Sequence, residues 1–285
     1  MALSSWFSLV KFSHSIFALP FALIGAWLAA GGMPSARTLG LVVVCAVAAR
    51  TSAMAFNRLA DRHIDAQNPR TAGRELPSGE LRPVPVAVLL VVSSVVFIAG
   101  AYAINTVCGH LAWPVLAVLV GYSLVKRFSW LAHGVLGLAL GIAPLGAWLA
   151  VRGDFEGDLA IPILLAAGVL TWVAGFDLVY ACQDVEFDRG QGLHSVPARF
   201  GVGAALRASS VLHALTVILL VVVAARAELG WIFHAALVVA ALLLVWQHRI
   251  VRPDDLSRVD MAFFTLNGWV SIGLFAGTAL DLSVS

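Results

Sequence analysis

The chain has 285 residues, of which 60% are hydrophobic and only 12% are charged. Its mean hydropathy is +0.92. Soluble domains carry about 25% charged residues and about 45–50% apolar residues, so the composition excludes soluble, disulfide-stapled and disordered proteins. A net charge of +2 gives no reason to expect a nucleic-acid partner. The three cysteines are not spaced as a metal site, and we interpret them as core residues.

Uncharged runs of about 20 residues indicate helices that cross a lipid bilayer. Backbone groups in lipid need internal partners, and no alternating pattern of barrel strands is present, so only helices fit. The uncharged run at 83–125 is interpreted as two spans, because residues 105–110 form a polar break in it. The other spans are predicted at 12–36, 39–56, 128–151, 159–176, 208–225, 229–248 and 261–280.

These nine spans predict an all-α polytopic membrane protein with one membrane-embedded domain over 1–285. Two acidic segments each follow an even-numbered span, which favours an internal repeat around a central cavity. The predicted halves have four helices each and cover about 12–127 and 128–248, with the ninth helix at 261–281.

Lys and Arg are concentrated in the loops on one side of the predicted membrane. The opposite loops hold only Arg37, Arg152 and Arg226. Loops rich in Lys and Arg remain in the cytoplasm. We therefore expect a multi-pass protein of the cell (inner) membrane, with the N-terminal segment around Lys11 and the acidic segments on the cytoplasmic side.

The first acidic segment begins where the second span leaves the membrane. Asn57, Asp61 and Asp65 recur at four-residue steps, so a helix places them on one face. Oxygen ligands of this kind suit Mg²⁺, which takes one or two carboxylates together with substrate phosphates. The alternative interpretation is a solvated helix end whose acids are balanced by neighbouring arginines.

The second acidic segment follows the sixth span. Asp177, Asp184 and Asp188 are spaced by seven and four residues, which predicts that they lie near one helix face with Tyr180. Asp177 borders the apolar run, where a carboxylate is costly and is a functional candidate. We expect Asp61 of the first segment and Asp184 of the second to face one shared cavity.

Basic residues near two acidic clusters are typical of a diphosphate site, in which Mg²⁺ bridges carboxylates and phosphate oxygens. Lys126 and Arg127 follow the fourth span at the membrane edge, where they can bind the same phosphates. They can equally be ordinary positive-inside anchors. The histidines, His133 among them, show no ligand spacing. Gly137-x-x-x-Gly141 in the fifth span fits close helix packing.

Three motifs in chain order resemble those of the UbiA family of intramembrane prenyltransferases, whose architecture also has nine helices. The resemblance covers nearly the whole chain. The motifs are Asn57-x-x-x-Asp61-x-x-x-Asp65, Tyr122-x-x-x-Lys126-Arg127 and Asp177-x-x-Tyr180-Ala181-x-x-Asp184-x-x-x-Asp188.

The resemblance implies Mg²⁺-dependent transfer of a polyprenyl group from polyprenyl diphosphate to an acceptor. By this resemblance the aspartates of the two acidic motifs are catalytic, and Tyr180 is near substrate. Lys126 and Arg127 would help to bind the diphosphate. The residues implied to hold Mg²⁺ and the diphosphate are Asn57, Asp61, Asp65, Asp184 and Asp188.

Arg58 is a departure from the family, because many members have Asp directly after the first Asn of the motif. This change leaves the implied metal ligands intact and bears on diphosphate contacts or acceptor selection. Within the family, Phe176–Ala181 and 65–71 look like the quinone-biosynthesis branch, whose members prenylate aromatic acids. The acceptor is then 4-hydroxybenzoate for ubiquinone or 1,4-dihydroxy-6-naphthoate for menaquinone, with Arg58 and 192–195 leaning slightly to the second.

Arg50 is a candidate to bind the carboxylate of such an acceptor, because it precedes Asn57 by seven residues on roughly the same helix face. The alternative is a structural arginine that is paired or snorkels to the membrane surface. Three other functions are alternatives. They are prenylation of a haem or chlorophyll-type acceptor, a CDP-alcohol phosphotransferase, whose Asp-Gly-x-x-Ala-Arg opening is absent, and a small-molecule transporter.

Overall fold

The computed structural model describes residues 3–10 and 15–284, and the elements in these ranges are helical. A 3₁₀ turn at Cys182–Asp184 precedes α8, and a π-helical turn at Met261–Leu266 precedes α12. The helices are α1 Leu3–Val10, α2 Ser15–Ala30, α3 Ala36–Asp65, α4 Pro83–Ile104, α5 Thr106–Val125, α6 Ala132–Arg152, α7 Ala160–Ala181, α8 Val185–Gly190, α9 Val196–Phe200, α10 Val202–Arg226, α11 Trp231–Ile250 and α12 Asn267–Val284.

The described residues contain eight helical segments that are long and apolar enough to cross a membrane, and Phe17–Ala30 of α2 is a shorter apolar helix. These segments correspond in order to the predicted spans, so the all-α polytopic architecture is confirmed, with nine as an approximate count. The chain is an integral membrane protein. Lys11 and residues 12–14 of the first predicted span lie outside the described residues. The division into repeated halves remains a prediction.

The polar break predicted at 105–110 was too wide. Only Asn105 interrupts the helix, with an extended backbone between α4 and α5. Its side-chain oxygen accepts the amide hydrogen of Cys108 at 2.8 Å, and its side-chain nitrogen donates to the carbonyl of Leu149 at 3.0 Å. A single capping residue satisfies an orphan amide of α5, so the following polar residues remain helical.

The most buried spanning helix is α7, which packs against α6 and α10. Trp172 is fully buried, and its indole Nε1–H donates to the Oδ1 atom of Asn267 at 2.9 Å. This bond joins α7 to α12 inside the apolar bundle, where an unpaired indole N–H would be costly. The C-terminal end of α7, which carries Asp177 and Tyr180, is therefore held in a fixed position.

Glycines allow three helices to approach closely around α6. A Cβ atom on Gly137 would lie 2.4 Å from the carbonyl oxygen of Leu170, and one on Gly141 would lie 2.7 Å from that of Ala166. The close packing predicted for Gly137-x-x-x-Gly141 is confirmed, and α7 is the partner helix. On the other side, a Cβ on Gly25 of α2 would be 2.2 Å from the carbonyl oxygen of Pro144.

Gly137→Ala should destabilise the protein, because the added methyl group meets backbone atoms that cannot rotate away. Overpacking costs about 1–3 kcal/mol, so the midpoint of thermal unfolding in detergent should fall by several degrees. Gly121→Ala is the matched control, since a Cβ there meets nothing within 4 Å. Equal midpoints for the two variants would contradict the close α6–α7 contact.

Candidate active site

Two chambers adjoin each other: a polar pocket where α3, α5 and α7 end, and a larger cavity that extends along α3 from Val42 to Arg58. The larger is an apolar cavity of about 880 Å³ lined by α2 to α7 and the π-helical turn. The smaller is a polar pocket of about 140 Å³. The two chambers lie side by side and share a wall. Four residues line both chambers: Asn57, Arg70, Thr71 and Arg74.

The first wall of the polar pocket is the C-terminal end of α3. Asn57 Nδ2 donates to Asp61 Oδ2 at 3.0 Å, so the four-residue spacing does put both on one face. The Asp61 carboxylate is buried and pairs with Lys126 Nζ at 2.9 Å and Arg127 Nη2 at 3.1 Å. Arg127 also donates to the carbonyl of Ala60 at 2.7 Å. These bonds fasten the end of α5 to the end of α3.

The second wall joins the loop after α3 to the turn after α7. Arg70 forms a bidentate ion pair with Asp184, in which Arg70 Nε lies 2.9 Å from Asp184 Oδ1. Asn68 Nδ2 donates to the same carboxylate oxygen at 3.0 Å. Arg74 Nη1 binds both oxygens of the buried Asp65 at 2.8 Å. The two acidic segments therefore meet through residues of a single loop.

Arg70 also contacts the larger cavity. Its Nη1 donates to the hydroxyl of Tyr180 at 2.8 Å, and the guanidinium lies 5.0 Å from the centre of the Tyr180 ring. Burial lowers the pKa of Arg70, but the hydrogen bond to Asp184 and the nearby Tyr180 outweigh this, so the pKa lies above its ordinary value. Arg70 is thus a permanent cation between the two chambers.

The segment before α9 forms the last wall of the polar pocket. Ser195 Oγ donates to Asp188 Oδ2 at 2.7 Å and accepts the amide hydrogen of Ala198 as the cap of α9. The amide of His194 donates to the carbonyl of Lys126 at 2.7 Å. This segment therefore connects the second acidic motif to the basic end of α5.

Four predicted acids, Asp61, Asp65, Asp184 and Asp188, share the polar pocket, but Asp177 does not. It lines the apolar cavity. Asp177 precedes Asp184 by seven residues, and the two carboxylates line different chambers. That the three acids of this segment share one helix face stays a prediction.

The acids of the polar pocket are bonded to Lys, Arg or Ser side chains. Among the described residues, no group of three acidic, histidine or cysteine side chains is close enough to hold a metal ion as it stands. The residues that line this pocket nevertheless offer oxygen donors, and neither histidine nor cysteine is among them.

Arg50, Arg58, Tyr122 and Tyr180 line the apolar cavity. Arg58 is 2% exposed, and its Nε lies 3.9 Å from Glu75 Oε2, which is also buried. Arg58 does not line the polar pocket. Its position therefore places it on the side of the apolar cavity rather than among the acids.

Sequence reasoning did not identify five residues of the site: Asn68, Arg70, Arg74, Glu75 and His133. Asn68, Arg70, Arg74 and Glu75 lie in the irregular segment between α3 and α4, so no helical periodicity reveals them. His133 was grouped with histidines that lack ligand spacing, but its Nδ1 lies 2.7 Å from Asp177 Oδ2. The available signal was a histidine at the edge of an apolar span, close to the basic pair at 126–127.

A model of the UbiA prenyltransferase family matches residues 18–269. The chain belongs to this family. A 4-hydroxybenzoate octaprenyltransferase of Ectopseudomonas mendocina is 32% identical over 261 residues, which cover 90% of this chain and 86% of the relative.

Solved structures of UbiA proteins have the same fold. A UbiA homolog from Aeropyrum pernix K1, without ligand, has a TM-score of 0.85 and 35% identity, covering 94% of this chain and 98% of that one. A UbiA homolog from Archaeoglobus fulgidus bound to DMAPP and Mg²⁺ has a TM-score of 0.76 and 20% identity, covering 99% and 100%.

Glu75→Ala should destabilise this UbiA protein, because it leaves the guanidinium of Arg58 buried beside the cavity without its carboxylate. Breaking a buried ion pair costs about 3–5 kcal/mol, whereas replacing both partners with apolar residues is often neutral. The double variant Arg58→Met with Glu75→Leu should therefore melt at a higher temperature than Glu75→Ala.

The control for this series is Glu186→Ala, because the Glu186 side chain is 91% exposed. Its thermal midpoint should match that of the wild type. If Glu75→Ala has the same midpoint of thermal unfolding as Glu186→Ala, the Arg58–Glu75 pair does not contribute to stability.

Proposed function

We propose that the protein is a Mg²⁺-dependent prenyltransferase that moves a polyprenyl group from polyprenyl diphosphate to a hydroxyaryl carboxylic acid. Membership of the UbiA prenyltransferase family makes it an enzyme rather than a transporter. The relatives named 4-hydroxybenzoate octaprenyltransferase favour 4-hydroxybenzoate as the acceptor, and 1,4-dihydroxy-6-naphthoate remains the second candidate.

The observation that carries the proposal is the pair of adjoining chambers. A polyprenyl diphosphate has a highly charged head and a long apolar tail, and its reactive carbon lies between them. The polar pocket with its basic residues suits the head, and the apolar cavity suits the tail. The shared wall at Asn57 and Arg70 is then where the carbon–oxygen bond breaks.

The polar pocket suits Mg²⁺ because its ligands are carboxylate and amide oxygens, the donors that this hard cation prefers. The residues that would hold it are Asn57, Asp61, Asp65, Asp184 and Asp188. When bound, Mg²⁺ neutralises the negative charge that develops on the departing diphosphate. Lys126, Arg70 and Arg74 already line the pocket and would donate hydrogen bonds to phosphate oxygens.

Aromatic rings surround the cavity next to this wall and would protect the reacting carbon from water. The rings of Tyr180 and Phe263 are 4.2 Å apart between centroids, and those of Phe176 and Phe263 are 5.1 Å apart. An allylic cation near these rings would gain from their negative faces. The same apolar lining prevents hydrolysis of the cation before the acceptor attacks.

Arg50 is our candidate for the carboxylate of the acceptor. It lies in α3 on the lining of the apolar cavity, which also contains Asn57 and Tyr122. A guanidinium binds a carboxylate with two parallel hydrogen bonds and so fixes the orientation of the ring. Arg58 and its partner Glu75 lie in the same wall, and we propose that they take part in acceptor selection.

The distribution of Lys and Arg supports a location in the inner membrane with the polar pocket at the cytoplasmic face. Arg70, Arg74, Lys126 and Arg127 lie at the pocket end of the bundle, whereas Arg37 and Arg152 lie at the opposite ends of α3 and α6. Positively charged loops remain in the cytoplasm. Soluble aromatic acids and Mg²⁺ would then reach the site from that side.

Asp61→Asn and Asp184→Asn should abolish most prenyl transfer. Each removes a negative charge from the polar pocket, and loss of metal binding removes several kcal/mol of transition-state stabilisation, so the rate should fall by at least about 100-fold. The measurement is product formation by purified protein from labelled polyprenyl diphosphate with 4-hydroxybenzoate or 1,4-dihydroxy-6-naphthoate and Mg²⁺. EDTA should remove the activity of the wild type.

Glu186→Gln is the matched control, because it removes a carboxylate charge near the pocket from an exposed side chain. It should keep the wild-type rate. Full activity in both the Asp61 and the Asp184 variants, or in EDTA, would overturn the proposed metal-dependent chemistry.

Arg50→Met should raise the KM for the aromatic acid and leave the KM for polyprenyl diphosphate unchanged. Hydrogen bonds to charged groups contribute about 1.5–3 kcal/mol, which corresponds to a rise of about 10- to 150-fold. Arg37→Met is the control, since Arg37 lies at the other end of the same helix and donates to the carbonyl of Ala103. An unchanged KM in Arg50→Met would assign Arg50 a structural role.

A further inference from the structure

Asp177 and His133 form a hydrogen-bonded pair at the edge of the apolar cavity, outside the polar pocket. The His133 Nδ1 atom lies 2.7 Å from Asp177 Oδ2. The Asp177 side chain is 21% exposed and lines the cavity, whereas the His133 side chain is 8% exposed and is not among the lining residues. Asp177 therefore borders the cavity, and the imidazole of His133 binds its carboxylate from outside the cavity lining.

The surroundings of His133 define its tautomer. The backbone N–H of Val196 points at His133 Nε2 at 3.4 Å. Because a backbone N–H can only donate, Nε2 must be the acceptor, and the proton of the neutral imidazole is assigned to Nδ1. This N–H then donates to the carboxylate of Asp177 and holds it in one orientation.

Other carboxylates are less suited to accept a proton from a substrate ring. Asp61, Asp65 and Asp184 pair with Lys or Arg in the polar pocket. Two further acids line the apolar cavity in the described part of the chain: Glu75, which faces Arg58, and Asp260, which is exposed. Asp177 is the cavity carboxylate whose partner is an imidazole within hydrogen-bond distance.

The proposed reaction must release one proton. The allylic carbon–oxygen bond breaks, and its electron pair leaves with the diphosphate. A π electron pair of the acceptor ring then forms the new carbon–carbon bond. The ring carbon next loses its hydrogen as a proton, and the electron pair of that bond restores the aromatic ring. A nearby base has to take this proton in a cavity that excludes water.

We propose that Asp177 accepts the ring proton and that His133 is the positioning residue that orients it. The inference rests on the proposed function. The proton moves to a carboxylate oxygen of Asp177 and passes to water when the product leaves. Val196 follows Ser195, which binds Asp188, so the segment that holds His133 also contacts the diphosphate side of the site.

The test uses the full-length protein with 4-hydroxybenzoate that carries deuterium at both ring carbons next to the hydroxyl. Loss of a general base costs about 100-fold or more in kcat, which we expect for Asp177→Asn. Loss of a residue that orients a catalytic group costs about 10- to 100-fold, which we expect for His133→Leu. Both variants should show a deuterium isotope effect on product formation that is larger than in the wild type.

His133→Gln should restore most of the activity and a wild-type isotope effect, because an amide N–H can donate to Asp177 in place of the imidazole. His110→Leu is the matched control, since His110 is an exposed histidine of α5. The isotope effect is the ratio of the rates with unlabelled and deuterated acceptor, measured on the same protein preparation. It therefore does not depend on the fraction of a variant that is folded.

The outcomes separate the two proposals. If the wild type prenylates no aromatic acid, the proposed function fails and the role of Asp177 fails with it. If the wild type is active but His133→Leu and Asp177→Asn keep its isotope effect, only the present inference is overturned, and the proton leaves by another group such as the diphosphate.

Discussion

The site depends on charge neutralisation between acids and bases that come from different helices. Buried carboxylates such as Asp61 and Asp65 repel one another, and their removal from water is costly unless cations pair with them. Lys126, Arg127, Arg74 and Arg70 supply this charge from α5 and the loop after α3. The pairing therefore does two things at once: it makes the acidic pocket possible, and it sets how the ends of α3, α5 and α7 meet.

The same pairing explains why the polar and apolar spaces remain separate. Lys126, Arg127 and Arg74 are held against the acids of the polar pocket, whereas the lining of the larger cavity is mostly apolar. Arg70 lines both chambers and binds Asp184 on one side and Tyr180 on the other. A molecule with a charged head and an apolar tail would have its junction beside this arginine. In the proposed function, Arg70 would contribute to binding both the head and the tail of the substrate.

The sequence predicted the positions of residues correctly wherever those positions depend on one regular helix. Four-residue spacing predicted that Asn57 and Asp61 share a face, and uncharged runs predicted the order of the spanning helices. It was uninformative where irregular segments intervene. Glu75 reaches Arg58 from a loop, and Asn68 binds Asp184 from the same loop. His133 contacts Asp177 because α6 packs on α7. The spacing of residues within either helix does not predict such a contact between two helices.

The length of α3 has a geometric consequence for the chemistry. One uninterrupted helix carries Arg50, which we propose binds the acceptor, and Asp61, which we propose helps to bind the diphosphate. At about 1.5 Å per residue, these two positions are about 16 Å apart along the axis, and no loop motion alters that interval. In the proposed reaction, this fixed distance determines which ring position receives the prenyl group. Regioselectivity would be a property of helical rise, so acceptors of different length would present different ring atoms to the same allylic carbon.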